Sequence, residues 1–108
     1  MSDALTVLPL DGELNIYRAA ELRLVLLAAL SDSPAGLELD LSGVSEIDSA
    51  GVQLLLAVRR DLHARGLPLR LSAPSAAVRE LFELFALNGD YFGDVLQPAA
   101  DALPGEAP

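Results

Sequence analysis

Hydrophobic and polar residues alternate strictly in two short segments, 37–41 and 67–71. A period of two is typical of a strand with one buried face, and the buried positions here are leucines. A helical segment separates the two strands, so they predict a right-handed βαβ unit with parallel strands. The polar positions predict that helices cover one face of the sheet and leave the other open. On that open face we expect Arg70 to lie near Glu38 or Asp40.

Three longer segments, 17–32, 50–64 and 75–87, repeat apolar residues at helical spacing. Ser75 follows Pro74 and is the candidate N-cap of the third helix. The residues expected to be buried are Leu22, Val25, Leu26, Ala29 and Leu30 in the first helix and Val78, Leu81, Phe82 and Phe85 in the third.

The two ends of the chain differ from this regular pattern. Residues 5–14 are extended in character, and the Asp11-Gly12 pair between apolar residues predicts a hairpin turn. From residue 97 onward the chain is rich in proline and alanine without periodicity, which predicts a disordered tail over 97–108. The expected fold is therefore a single α/β domain over residues 1–96. Its predicted sheet is mixed, with four to five strands, and the helices lie mainly on one face.

Composition and charge exclude several classes of function. The 108 residues carry a net charge of −9, and the seven basic residues, all arginine, are scattered, which disfavours nucleic acid and anionic membranes as partners. There is no cysteine, no apolar run long enough to span a membrane and no visible signal peptide, so we expect a cytoplasmic protein without direct membrane insertion. Asp90 and Asp94 lack the further ligands that a metal needs, and no cofactor motif occurs.

The junction Asp48-Ser49-Ala50-Gly51, between the second strand and its helix, is the candidate site. Catalysis by Ser49 is disfavoured because the single histidine, His63, lies on the same predicted helix roughly 20 Å away. One glycine is also too few for a nucleotide cradle. Two interpretations remain open. Asp48 or Ser49 caps the helix, or Ser49 is phosphorylated at a position where the helix dipole tolerates an anion.

The order of elements and several motifs resemble the STAS domain of anti-sigma factor antagonists and sulfate-transporter tails. The similarity covers about residues 5–96, and the segments that carry it are "DGEL", "AAEL", "LELDLSGVSEIDSAGVQLLL" and "PSAAVRELFELFALNGDYFG". The resemblance implies a non-catalytic domain that switches protein partners. Ser49 would be phosphorylated by a kinase that is also the anti-sigma factor. The partner-binding residues implied are Asn15, Asp48, Ser49, Ala50, Gly51 and Val52.

The sequence departs from the switch members of this family at two positions. Asn15 stands where many of them have an aspartate that assists phosphorylation, and Ala50 stands where serine or threonine is common. Small STAS proteins of chemotaxis-type histidine kinase systems are also similar. A further alternative is a constitutive STAS adaptor that binds the ATPase of a phospholipid-transport ABC complex without phosphorylation.

Overall fold

The computed structural model describes residues 5–85 and the short strand at 96–97. Strands and helices alternate along the chain. Their bounds are β1 Thr6–Leu14, α1 Ala19–Ser31, β2 Leu37–Ile47, α2 Ser49–Ala64, β3 Leu69–Ser72, α3 Ala76–Leu84 and β4 Leu96–Gln97. Each predicted helix is present, and Ser75 caps α3 by accepting a hydrogen bond from the N–H of Val78 at 3.3 Å. Asp90, Asp94 and most of the predicted tail lie outside the described residues.

The sheet has the order β1-β2-β3-β4, and all three pairings are parallel. The predicted pairing of β2 with β3 is confirmed, whereas the prediction of a mixed sheet is wrong, because every pairing among the described residues is parallel. The described part of the chain forms three strands of four or more residues and a fourth of only two, Leu96–Gln97. The strand order makes β1 an edge strand, and Pro9 lies near its middle.

The predicted hairpin at Asp11-Gly12 is also wrong, because β1 runs through both residues without reversing. Gly12 does adopt a positive φ of 79°, as a turn would require, but here the conformation sits beside an irregularity in the pairing with β2. The Arg18 guanidinium spans this irregularity and donates to the carbonyl oxygens of Asp11 at 3.0 Å and Glu13 at 2.9 Å. Only Glu13 and Leu14 follow the glycine within the strand. A return strand that short cannot compete with parallel pairing along β2.

β2 is two residues longer than β1, and the pairing register shifts twice to accommodate the difference. Each shift leaves one extra residue on β2, as in a β-bulge. As a result, the buried positions change from every second residue up to Leu41 to every third residue afterwards, at Val44 and Ile47. With these two extra residues, β2 extends to Ile47, directly before the junction with α2.

One hydrophobic core joins the leucine face of the sheet to the three helices. The strands contribute Leu10, Leu14, Leu37, Leu39, Leu41, Val44, Ile47, Leu69 and Leu71, and the helices contribute Leu22, Leu26, Leu30, Val52, Leu55, Val58, Leu62, Val78 and Phe82. Two predicted core residues are wrong, since Val25 is 41% exposed and Phe85 is 48% exposed. Val25 lies on a flank of α1 beside the Leu22–Leu26–Leu30 row, and Phe85 is the C-cap of α3.

The opposite face of the sheet is open and polar, as the alternation predicts. Glu38 and Arg70 are cross-strand partners, and their side chains form an ion pair at 3.6 Å. Within the described residues, the longest apolar helix falls short of what a membrane crossing requires.

Candidate functional site

Asp48, rather than Ser49, is the residue that caps α2. Its backbone is extended, and its Oδ1 accepts hydrogen bonds from the N–H groups of Ala50 at 2.9 Å and Gly51 at 3.2 Å. These N–H groups belong to the first turn of the helix, where no backbone acceptor is available to them. The structure thus selects one of the two capping residues that the sequence left open.

Asp48 also ties α2 to the end of β1. Its second oxygen, Oδ2, accepts a hydrogen bond from the N–H of Ile16 at 3.2 Å, and its own N–H donates to the carbonyl oxygen of Leu14 at 3.2 Å. One side chain therefore holds together two segments that lie 32 residues apart in sequence.

Ser49 is the first residue of α2, and it is exposed. Because Asp48 provides the cap, the Ser49 hydroxyl forms no hydrogen bond within the part of the chain that the structure describes. The hydroxyl is therefore accessible at the positive end of the helix dipole, where a phosphoryl group is electrostatically tolerated.

Gly51 allows α2 to approach β1 closely. It is buried, and a Cβ at this position would overlap the carbonyl oxygen of Leu14 and lie 2.9 Å from Cγ1 of Ile47. Its φ is not positive, so close approach alone, and not backbone conformation, requires glycine here. This contact gives the glycine of the Asp-Ser-Ala-Gly sequence a structural role.

Asn15 is only 3% exposed and forms the turn that leads from β1 into α1. Its Oδ1 accepts hydrogen bonds from the N–H groups of Tyr17 at 3.1 Å and Arg18 at 3.3 Å. Its Nδ2 donates to the Glu13 carboxylate at 3.2 Å. An asparagine in such a turn stabilises it through its side-chain oxygen. The amide therefore has all its observed contacts within the protein.

The predicted partner-binding residues divide into an exposed and a buried group. Ser49 is exposed, Asp48 and Ala50 are half-buried, and the remaining three, Asn15, Gly51 and Val52, are buried. The buried three hold the shape of this surface from below. Partner binding by all six stays a prediction.

Two residues that the sequence did not single out lie beside this group. Ile16 is 65% exposed and Tyr17 is 91% exposed, immediately after the Asn15 turn. The sequence offered one indication of their exposure: both precede Leu22, the first residue of α1 that was predicted to be buried. Ile16, Tyr17, Asp48, Ser49 and Ala50 are called the junction surface below.

The charges around the junction surface are acidic. Glu13 and Glu46 are cross-strand partners next to the end of each strand, and both are exposed. Like charges that face each other across two strands repel. In the chain, Glu46 and Asp48 come shortly before Ser49.

The single histidine of the chain does not lie beside the serine. His63 lies in the last turn of the same helix, which fixes it at the far end of α2. Residues 5–85 contain no group of three or more histidine and acidic side chains arranged to hold a metal ion. The arrangement instead presents one accessible hydroxyl on a rigid support.

Comparisons with known proteins agree with this geometry. A family model described as MlaB, STAS domain, matches residues 1–98. A search of curated proteins gives no significant match. The fold is similar to the solved structure of SpoIIAA, an anti-sigma factor antagonist in its unphosphorylated form. The two are 26% identical over 88% of this chain and 80% of SpoIIAA, with a TM-score of 0.66.

Two further solved structures are similar over most of their length. An anti-sigma factor antagonist from Mycobacterium paratuberculosis is 25% identical over 94% of this chain and 92% of its own, with a TM-score of 0.70. A putative antagonist from Thermotoga maritima is 21% identical over 98% and 88%, with a TM-score of 0.73, and this likeness shows the shared fold. With the family model spanning nearly the whole chain, the protein belongs to the STAS domain family.

Proposed function

We propose that this STAS domain is a non-catalytic regulatory protein that switches partners when a partner kinase phosphorylates Ser49. The observation that carries the proposal is that Asp48 and not Ser49 caps α2. Asp48 caps α2, so the exposed Ser49 hydroxyl is not needed for the helix and is accessible for modification. Similarity to anti-sigma factor antagonists supports the same class of function.

Phosphorylation would change the junction surface through charge. A phosphoryl group adds about −1.5 to −2 charges at neutral pH. On Ser49 it would face the positive end of the α2 dipole, so the fold would tolerate it. Glu46 and Asp48 already place negative charges shortly before Ser49 in the chain. A partner that docks on Ile16, Tyr17 and the start of α2 would then meet a strongly anionic surface and dissociate.

The proposed partner is an anti-sigma factor that is also a serine kinase, or a chemotaxis-type histidine kinase system, in the cytoplasm. A second candidate function is a constitutive adaptor for the ATPase of a phospholipid-transport ABC complex. The buried Asn15 amide favours this second function or a chemotaxis-type system, because it places no carboxylate where many switch members carry one.

The two functions are distinguished by affinity purification from the native host combined with mass spectrometry of the Ser49 peptide. Variants Ser49→Glu and Ser49→Ala are compared with the natural chain. Ser42→Glu is the matched control, since Ser42 is an exposed serine in the middle of β2. Partner switching predicts a phosphorylated Ser49 peptide and a co-purifying kinase. It also predicts that Ser49→Glu alone loses the partner.

A partner retained by Ser49→Glu, together with an unmodified Ser49 peptide, would rule out the switch. If that partner were a transporter ATPase, the protein would be a constitutive adaptor. The serine would then only occupy the first position of the helix.

A further inference from the structure

Helix α1 is apolar on the side that faces solvent as well as on the side that faces the core. Leu24 is 68% exposed and Leu27 is 47% exposed, and Glu21 and Arg23 are the charged residues of the helix. A surface helix of a folded domain normally presents polar residues on its outer side. An apolar strip on a helix that has a buried face of its own indicates a binding surface.

This strip adjoins a groove between α1 and α2, here called the α1–α2 groove. Its volume is about 420 Å³. Leu27 and Leu30 from α1 and Leu54 and Ala57 from α2 supply its apolar lining, and Arg23 and Arg60 lie on opposite helices. Leu27, Ala57 and both arginines are exposed, so the groove opens to solvent along its length.

The two arginines of the groove have no carboxylate partner among the described residues. Arg18, Arg65 and Arg70 each form an ion pair with a carboxylate. Arg23 and Arg60 form no side-chain hydrogen bond or ion pair with any residue that the structure describes. Two unpaired guanidinium groups therefore flank an apolar groove on a protein whose net charge is −9.

Asp61 also lines the groove, but its carboxylate is already engaged. Arg65 lies 3.1 Å from its Oδ2, and the same guanidinium donates to the carbonyl oxygen of Leu30 at 3.1 Å. A second copy docked groove to groove would place its Arg23 and Arg60 against those of the first, and the Asp61 of each groove already lies beside Arg65. Charge complementarity therefore favours a different, acidic partner.

We propose that the α1–α2 groove binds an amphipathic helix of a partner protein, whose leucine-type face enters the groove and whose carboxylates pair with Arg23 and Arg60. A helix fits because the groove runs between two helices and is open, which is how a third helix packs. A small amphiphile would need an enclosed cavity that buries most of its surface. Ala57 lies eight residues beyond Ser49 on α2, about 12 Å away, so this surface is distinct from the junction surface.

The test uses the full chain and two synthetic helical peptides as probes. Both peptides carry leucine at the same positions, spaced i, i+3, i+4 and i+7, and differ only in having glutamate or lysine at the flanking positions. Affinity is measured by fluorescence anisotropy at low and high salt. We expect the acidic peptide to bind about tenfold more tightly than the basic one at low salt. This preference should shrink at high salt because screening weakens exposed ion pairs.

Charge reversal locates the binding. Arg23→Glu with Arg60→Glu should weaken binding of the acidic peptide about tenfold. Arg79→Glu is the matched control, because Arg79 is an exposed arginine of α3 that also lacks a side-chain partner among the described residues. Ser49→Glu should also leave peptide affinity within about twofold, which separates this surface from the proposed switch.

Three results would overturn the proposal. Equal affinity for both peptides would show that the arginines do not contribute to binding. If Arg79→Glu weakened binding of the acidic peptide as much as the Arg23→Glu, Arg60→Glu variant, the effect would come from overall charge. A dimer in sedimentation equilibrium that Leu27→Asp dissociates would show that a second copy of the chain occupies the groove.

Discussion

Substitution of Asp48 tests the structural basis of the junction surface. In Asp48→Ala the N–H groups of Ala50 and Gly51 lose their shared acceptor, and the N–H of Ile16 loses its bond to Oδ2. Loss of a side-chain cap destabilises a protein by about 1 kcal/mol. The hydrogen bond from Ile16 is solvent-exposed, so it contributes about 1 kcal/mol. The expected decrease in the free energy of unfolding is therefore about 2 kcal/mol.

Asp48→Asn separates the two contributions. Asparagine keeps one oxygen, which can still accept from Ala50 and Gly51, but its amide nitrogen cannot accept from the N–H of Ile16. We expect this variant to lose about 1 kcal/mol of stability. Ser49→Ala is the comparison at the neighbouring position. It should change stability by less than about 0.5 kcal/mol because the hydroxyl is exposed and has no partner among the described residues.

Urea denaturation followed by circular dichroism measures all three variants, and an unchanged denaturant slope would confirm that only stability differs. Nuclear magnetic resonance should also show faster hydrogen exchange at Ile16 in both Asp48 variants. If Ser49→Ala destabilised the protein as much as Asp48→Ala, the serine would be the cap and the argument for a free hydroxyl would fail. Equal stability of Asp48→Ala and the natural chain would refute the coupling of β1 to α2.

Substitutions at three further sites, with one control, test other contacts. Gly51→Ala should destabilise the protein by about 1–3 kcal/mol in the same denaturation assay, because the added methyl group overlaps the Leu14 carbonyl. The control, Gly66→Ala, should cost about 1 kcal/mol, because nothing lies within 4 Å of the new Cβ and only the positive φ opposes it. A larger loss for Gly66→Ala than for Gly51→Ala would contradict the close-approach argument. Asn15→Ala should cost about 2 kcal/mol and accelerate hydrogen exchange at Tyr17 and Arg18, whose N–H groups lose their acceptor, and unchanged exchange there would show that the amide does not form the turn. Arg70→Ala should change the thermal unfolding midpoint by no more than about 2 °C, because its ion pair with Glu38 is on the open face; a larger shift would mean that this face is more buried than the structure shows.

The sequence predicts the regular part of this fold well because local patterns determine it. Alternation defines β2 and β3, and helical spacing defines the three helices. The one-sided polarity of the strands also predicts the open face and the pairing of Glu38 with Arg70, which the structure confirms. Each of these features depends on side chains that are close in sequence or repeat with a fixed period.

The errors occur where long-range pairing overrides a local pattern. Asp11-Gly12 has the composition of a hairpin turn, yet the parallel partner strand that prevents the reversal comes from residues 37–47. The choice of Asp48 over Ser49 as the cap is of the same kind. Both side chains can cap a helix locally, but Asp48 also reaches Ile16, 32 residues earlier in the chain.

The candidate site was therefore only partly predictable. The position of Ser49 at the start of α2 follows from the strand, junction and helix pattern. The burial of Asn15 and the exposure of Ile16 and Tyr17 depend on how the turn after β1 packs. No periodic pattern covers that turn, so the sequence alone does not predict which of its residues are exposed.

The position of Pro9 in β1 has a consequence for how molecules of this protein meet each other. β1 is the outer strand of the sheet, and the backbone groups along a free outer strand can pair with a strand of another molecule, which is a common route to aggregation. Proline has no N–H to offer, and the irregular pairing near Gly12 further disturbs the straight line of donors and acceptors. The edge nearest the junction surface is thus a poor template for β-strand addition. Contacts there must therefore come from side chains, which can recognise one partner and exclude others.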